Sequence, residues 1–230
     1  MIFAGITKSS LLDYPGNISI VLYTPGCNYD CFYCHNRELI EDLTEKISIE
    51  DIMDLLNKRI GLIDSVVISG GEPTLHFDLI PFLKKVKSMG YLTKLDTNGS
   101  NPEVIKNCIE EDVVDYYAVD YKAPASRYKE IVRSNADAEV VLETINLLIE
   151  NSKTFEVRTT VIPQLSINDL IQMAKELPKL PRYVLNPYRT PVNYLPKDEE
   201  LVKTPPYSES EIAEMASIIK LYQTNVILPF

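Results

Sequence analysis

Two hydrophobic periods take turns along this chain. Ile18-Ser19-Ile20-Val21-Leu22-Tyr23 is short, apolar and β-branched, as buried strands are. Over 48–60 the apolar residues fall at Ile49, Ile52, Met53, Leu55, Leu56 and Ile60, which is one face of a helix, with Ser48 as N-cap and Asp51 as an acidic first-turn partner. The exchange then repeats. Strands are predicted at 65–69, 93–96, 116–120, 155–162 and 183–186. Helices are predicted at 78–89, stopped by Gly90, at 101–110 with Asn101 as cap and Pro102 in the first turn, and at 137–150 and 167–177. The proline-rich stretch 187–206 reads as an ordered loop over one face. Ser208 caps a last helix with Glu211 as its capping-box partner, and Val226-Ile227-Leu228 can add a short strand.

Strands alternating with helices of this length are joined by right-handed crossovers into a parallel sheet. Six such units fit here, whereas eight normally need about 250 residues. The expected fold is therefore α/β: an incomplete (βα)6 barrel of parallel strands, a partial TIM barrel. It is expected as a single domain over 1–230, with 1–17 as an N-terminal extension and 187–230 as a C-terminal loop-plus-helix segment. No internal repeat, low-complexity tract or linker interrupts it.

Composition narrows the class. With 45% apolar and 24% charged residues the chain has the balance of a soluble globular protein rather than a disordered one. It contains no run of about 18 apolar residues, so no membrane span is expected. Met1-Ile2-Phe3-Ala4-Gly5 does not open a signal peptide, and a cytoplasmic location is expected. Thirty-three acidic against 23 basic residues give a net charge of −10, which repels phosphate backbones and argues against nucleic-acid binding.

The unusual residues collect where a parallel barrel does its chemistry, at the C-terminal ends of the strands. Cys27, Cys31 and Cys34 follow the first strand, Gly70-Gly71-Glu72-Pro73 the second, and Asp96-Thr97-Asn98-Gly99 the third. Asp120-Tyr121-Lys122 closes the fourth, Arg158 lies within the fifth, and Asn186-Pro187-Tyr188-Arg189 ends the sixth. Three clustered thiolates in a reducing compartment suit an iron–sulfur cluster or zinc. A [4Fe–4S] cube usually takes four cysteines, so three leave one iron open. A zinc site of these cysteines plus His35 is the bland alternative, but adjacent residues such as Cys34 and His35 seldom both reach one tetrahedral ion. Cys108 reads as a buried apolar thiol and His76 as a surface residue. Asp96 and Asp120, at neighbouring strand ends, need a positive charge between them to remain ionised. Arg158, inside an apolar strand, needs a partner.

The segments Leu11-Leu12-Asp13-Tyr14-Pro15-Gly16, Thr24-Pro25-Gly26-Cys27, Cys31-Phe32-Tyr33-Cys34-His35-Asn36, Ser69-Gly70-Gly71-Glu72-Pro73, Leu95-Asp96-Thr97-Asn98-Gly99, Asp120-Tyr121-Lys122-Ala123-Pro124 and Val157-Arg158-Thr159-Thr160 together resemble the radical S-adenosylmethionine superfamily. Within it the chain is similar to the activating enzymes of glycyl-radical enzymes, such as those serving anaerobic ribonucleoside-triphosphate reductase and pyruvate formate-lyase. The resemblance implies that Cys27, Cys31 and Cys34 hold a [4Fe–4S] cluster, whose open iron takes the amino and carboxylate groups of S-adenosylmethionine. It implies that Tyr33 lies near the adenine, that Gly70, Gly71 and Glu72 present backbone groups to the methionine ammonium, and that Asn98, Lys122, Arg158 and Arg189 belong to the cofactor site. Arg189 stands where the compared activase has a histidine. Asp96, Thr97 and Asp120, with the backbone near Ala118, are implied to bind a monovalent cation beside the cofactor carboxylate. The implied reaction is reductive cleavage of S-adenosylmethionine to a 5′-deoxyadenosyl radical, which takes hydrogen from a glycine of a partner glycyl-radical enzyme. A flavodoxin or ferredoxin would be the electron donor. Two other readings stand beside this one: radical chemistry on a small molecule such as a deazapurine precursor, and a metal-stabilised binding scaffold.

Overall fold

Eight strands, hydrogen-bonded in chain order, make one sheet in the computed structural model, which describes residues 1–41 and 44–229. In chain order the elements are β1 (Gly5–Ser10), β2 (Ser19–Thr24), α1 (Arg37–Ile40), α2 (Ile49–Arg59), β3 (Ser65–Gly70), α3 (Leu79–Ser88), β4 (Leu92–Thr97), α4 (Pro102–Glu110) and β5 (Tyr116–Asp120). There follow α5 (Tyr128–Val132), α6 (Ala138–Glu150), β6 (Phe155–Val161), α7 (Ile167–Glu176), β7 (Tyr183–Pro187), α8 (Glu199–Val202), α9 (Glu209–Ile219) and β8 (Val226–Ile227). β2 to β7 run parallel and are the six barrel strands expected.

Both sheet edges carry an addition. β1 lies within the stretch expected as an extension, yet it pairs antiparallel with β2, Ile6 opposite Leu22 and Thr7 opposite Val21. Its residues GITKSS are half-exposed and partly polar, so no buried-strand signal marks it. β8 pairs parallel with β7, Tyr183 opposite Val226. No β1–β8 pairing joins the edges among the described residues, so the barrel stays open between them.

Alternation along each strand sends side chains to two environments. Leu22, Ile68, Leu95, Tyr117, Val119, Val157 and Leu185 enter the main core, which the helices cover with Ile52, Leu56, Phe82, Ile105, Ile145, Met173 and Ile212. Inside the barrel a second, small cluster forms from Val21, Val67, Tyr116 and Tyr14. Tyr14 comes from the β1–β2 turn, at the end opposite the cysteines, and its ring lies 5.6 Å from that of Tyr116. The Asp13-Tyr14-Pro15-Gly16 segment thus plugs the bottom of the barrel.

Side-chain caps open α2, α6, α7 and α9. The Ser48 side chain accepts from Asp51 N–H, and Ser208 with Glu211 forms a full capping box, as Ser166 does with Asp169. Asn101 occupies the N-cap position of α4 but makes no side-chain cap; its Nδ2 donates to Thr74 O (3.2 Å) and ties two strand-end loops together.

The C-terminal segment is fastened by one buried amide. Gln223 Nε2 donates to Ala174 O (3.0 Å), Leu177 O (3.1 Å) and Pro178 O (3.0 Å), and its Oε1 accepts from Leu180 N–H (3.2 Å). It satisfies carbonyls at the end of α7 and sets the approach of β8. Replacing it strands buried backbone groups, at about 1–3 kcal/mol for each group left unpaired. Gln223→Leu is expected to lower unfolding stability by about 2–3 kcal/mol in denaturant titration. A change under about 0.5 kcal/mol, the range of ordinary surface substitutions, would contradict this role.

Candidate active site

The strand ends meet in a cavity of about 370 Å³, inside the size range of small-molecule sites. Cys27, Cys31 and Cys34 line one side, with Tyr29, Tyr33, His35 and Asn36. Ser69, Gly70, Gly71, Asp96, Thr97, Asn98, Asp120, Lys122, Arg158 and Arg189 line the rest. Of the residues assigned to cofactor binding from the sequence, Glu72 alone does not line it. Cys108 is buried in α4, away from the cavity, as expected.

The cysteine loop has little freedom. Gly26 N–H donates to Leu39 O (2.7 Å), Asp30 N–H to Val132 O of α5 (2.9 Å), and Cys34 N–H to Cys31 O (3.0 Å). Asp30 and Glu41 both pair with the buried Arg37. Tyr33 packs edge-on against Phe32, their centroids 5.3 Å apart. Tyr29, which the sequence reading passed over, is buried at the cavity wall and meets Tyr128 edge-on. Asn28, also passed over, accepts from Asn98 Nδ2 (2.8 Å) and donates to Ser100 Oγ (2.8 Å).

The glycines are required by the chain itself. A Cβ on Gly71 would lie 1.8 Å from Gly26 O, and one on Gly70, whose φ is +118°, 2.3 Å from Thr24 N. The second strand-end loop therefore packs backbone to backbone on the cysteine loop, through Gly71 N–H to Thr24 O and Glu72 N–H to Gly26 O (both 2.8 Å). Close approach to a cofactor was the expected reason for these glycines; the nearer reason is this loop contact.

Glu72, expected to offer its backbone to the cofactor, has a separate use for its side chain. Its carboxylate is fully buried behind the cavity. It accepts from Thr74 N–H (3.0 Å), Thr74 Oγ1 (2.6 Å), Thr97 Oγ1 (2.7 Å) and Asn98 N–H (2.7 Å). Burial pushes its carboxyl upward while these donors hold it down. The side chain clasps the β3 loop to the β4 loop. His76, expected at the surface, is half-buried, and its Nε2 lies 2.9 Å from Pro25 O, a further tie to the cysteine loop.

The cavity floor is a lattice of charges. Arg158 reaches Asp96 Oδ2 through its NH1 (3.2 Å) and Asp120 Oδ1 through its Nε (2.9 Å). Lys122 pairs with Asp120 Oδ2 at 3.1 Å. Lys94, buried beneath, lies 3.0 Å from Asp96 Oδ1. Burial opposes ionisation of both aspartates, but Arg158 and the lysines win, holding Asp96 low and Asp120 at about 2. The positive charge that the resemblance assigns to a bound cation is already supplied here by side chains. The Thr97 hydroxyl donates to Glu72 and accepts from Gly99 N–H (3.1 Å), tying it to both strand-end loops. Lys94 carried no functional reading in the sequence; the signal was a lysine two positions before Asp96, on the same strand face.

The thiols fit a cluster. Burial pushes Cys27 up to about 11 and Cys31 to about 12, and raises Cys34 as well. The chain alone thus keeps them protonated, and ligation must displace those protons with the charge of a metal centre. No group of three or more His, Cys, Asp or Glu side chains among the described residues is gathered tightly enough for one metal ion. The zinc reading with His35 has no geometric support, whereas a cube takes each thiolate on a different iron.

A sequence model of the radical SAM superfamily matches residues 21–177, the span from β2 through α7. The chain belongs to this superfamily. The radical SAM chain is 35% identical over 231 residues to a protein of Methanocaldococcus jannaschii named as a candidate glycyl-radical enzyme activating enzyme, covering 98% of this chain and 94% of that one. It is 26% identical to the 7-carboxy-7-deazaguanine synthase of Thermococcus kodakarensis, covering 77% and 76% of the two. In fold it is similar to a domain of a pyruvate-formate lyase-activating enzyme from Bacteroides vulgatus, with a TM-score of 0.57, 20% identity, and coverage of 72% of this chain and 98% of that one. Membership implies a [4Fe–4S] cluster and S-adenosylmethionine, and the three thiols with the charged cavity beside them fit both.

Replacing Cys27, Cys31 or Cys34 by Ala is expected to abolish iron retention after anaerobic reconstitution, while Cys108→Ala keeps it; iron and sulfide assays with visible spectra decide. Gly71→Ala forces a backbone collision and is expected to cost about 3 kcal/mol or more in stability, measured by denaturant midpoint. A stable Gly71→Ala protein would show that the two loops do not pack as described.

Proposed function

We propose that this radical SAM enzyme is a glycyl-radical-enzyme activase, with anaerobic ribonucleoside-triphosphate reductase as the partner that the sequence motifs favour. The observation that carries the reading is identity of 35% across nearly the whole of both chains with the M. jannaschii protein. The small-molecule reading draws on a synthase that is only 26% identical over about three quarters of each chain.

When bound, the cluster and S-adenosylmethionine supply the electron and the hydrogen-abstracting radical. This chain's residues position them. Cys27, Cys31 and Cys34 hold the cluster and leave one iron to the cofactor. Lys122 and Arg158, which together with Lys94 outweigh the two aspartates in charge, receive the methionine carboxylate. Gly70 and Gly71 offer backbone to the ammonium; Tyr33, Asn98 and Arg189 complete the wall around the nucleoside. Arg189 is exposed at the rim, where it can also meet a partner.

A glycine inside another protein must enter as a loop. The unpaired side of the barrel, between β1 and β8, offers a way in. Across the top of that gap an exposed hydrogen bond, Asn193 Nδ2 to Glu38 Oε1 (2.6 Å), links the segment after β7 to α1. Such a contact is weak and exchanges readily with water.

The test is electron paramagnetic resonance on the reduced, reconstituted enzyme mixed with S-adenosylmethionine and each glycyl-radical enzyme encoded beside it in the genome. A glycyl radical in one partner, with 5′-deoxyadenosine formed in step, is expected. Its absence with every such enzyme, under conditions that cleave S-adenosylmethionine, would contradict the proposal.

A further inference from the structure

The resemblance that marks this family places a monovalent cation between the carboxylates at 96 and 120. The geometry sets side-chain cations where that ion would stand. Each of the four carboxylate oxygens lies within 3.2 Å of one, although Asp96 Oδ1 accepts no hydrogen bond. Asp96 Oδ1 faces Lys94 Nζ (3.0 Å), Asp96 Oδ2 faces Arg158 (3.2 Å), Asp120 Oδ1 faces Arg158 (2.9 Å) and Asp120 Oδ2 faces Lys122 (3.1 Å).

Charge balance points the same way. Lys94, Arg158 and Lys122 against Asp96 and Asp120 leave the floor with one net positive charge. Below it, Glu156 lies 3.9 Å from Lys94 and is itself neutralised by Arg182 at 2.9 Å. At low dielectric an added cation here meets strong repulsion, whereas a carboxylate is welcomed.

Lys94 is built into this role. Its ammonium is almost fully buried, donates to Asp13 O (2.6 Å) and stands 5.7 Å over the Tyr116 ring. Asp13 and Tyr14 belong to the turn that plugs the bottom of the barrel, so that turn holds the lysine from beneath. A buried lysine is rarely tolerated without such partners.

We propose that Lys94 is a tethered cation standing in for the bound monovalent ion, so that this enzyme binds S-adenosylmethionine without Na⁺ or K⁺. Lys94 is a positioning residue: it touches Asp96 and through it sets Arg158. The inference rests on family membership and not on the identity of the partner.

The test measures equilibrium binding of S-adenosylmethionine to the cluster-loaded protein, without a partner. Binding is compared in NaCl, KCl and tetramethylammonium chloride at equal ionic strength. Affinities equal within about twofold, a difference of less than 0.5 kcal/mol, are expected. A drop of about tenfold or more in tetramethylammonium would overturn the proposal. Crystals soaked in rubidium or thallium(I) give an independent readout: no anomalous peak is expected between Asp96 and Asp120, and a peak there overturns it. Lys94→Met is expected to bind about tenfold more weakly in tetramethylammonium and to regain affinity with K⁺ or Na⁺. Wild-type affinity of that variant in tetramethylammonium would remove Lys94 from the role. The wild-type measurements decide even if the variant does not fold.

Discussion

Asp96 and Asp120 can face one cavity because Arg158 lies between them. The sheet dictates that placement. In register, Asp96 sits beside Ala118 and Asp120 beside Arg158, so the aspartates stand one pleat apart on neighbouring strands and the guanidinium spans both. Two ionised carboxylates so near each other would otherwise repel, and one would take up a proton. With Arg158, Lys122 and Lys94 in place the floor is ionised and slightly positive, which is what a zwitterionic, carboxylate-bearing cofactor needs. Without this lattice the thiols above it would border an uncompensated acidic hole.

The upper part of the site depends on a different constraint, the contact of one backbone with another. Gly70 and Gly71 let the β3 loop lie directly on the cysteine loop, and the buried Glu72 carboxylate joins that unit to the β4 loop through four hydrogen bonds. Three strand ends are thereby locked before any cofactor arrives. That rigidity lets thiols with no metal-binding preference in their own acidity hold fixed positions.

Much of this was legible in the sequence, for physical reasons that also mark where reading stopped. β2, β3, β5 and β7 announce themselves as short apolar runs buried on both faces, whereas β4, LTKLDT, is legible mainly by its place in the alternation. β1 gives no such signal, since GITKSS is an edge strand with half-exposed residues. The cysteines and the Gly-Gly-Glu-Pro turn were visible as chemistry out of place, and so was Arg158. The clasp made by the Glu72 side chain was not legible, because sequence cannot say which way a side chain turns at a tight loop. Lys94 was overlooked because a lysine in a strand of an acidic protein reads as solvated; only register shows that it faces inward beside Asp96. Gln223 belongs to the same class, a polar residue whose partners are backbone groups remote in sequence.

The central claim is that three buried thiols hold a cluster with one iron left to S-adenosylmethionine. Mössbauer spectroscopy of protein reconstituted with ⁵⁷Fe, recorded with and without S-adenosylmethionine, tests it most directly. The account predicts that one iron site of the cube changes its isomer shift on cofactor binding while the others stay put. Spectra that superimpose, with every iron already ligated by the protein, would contradict it.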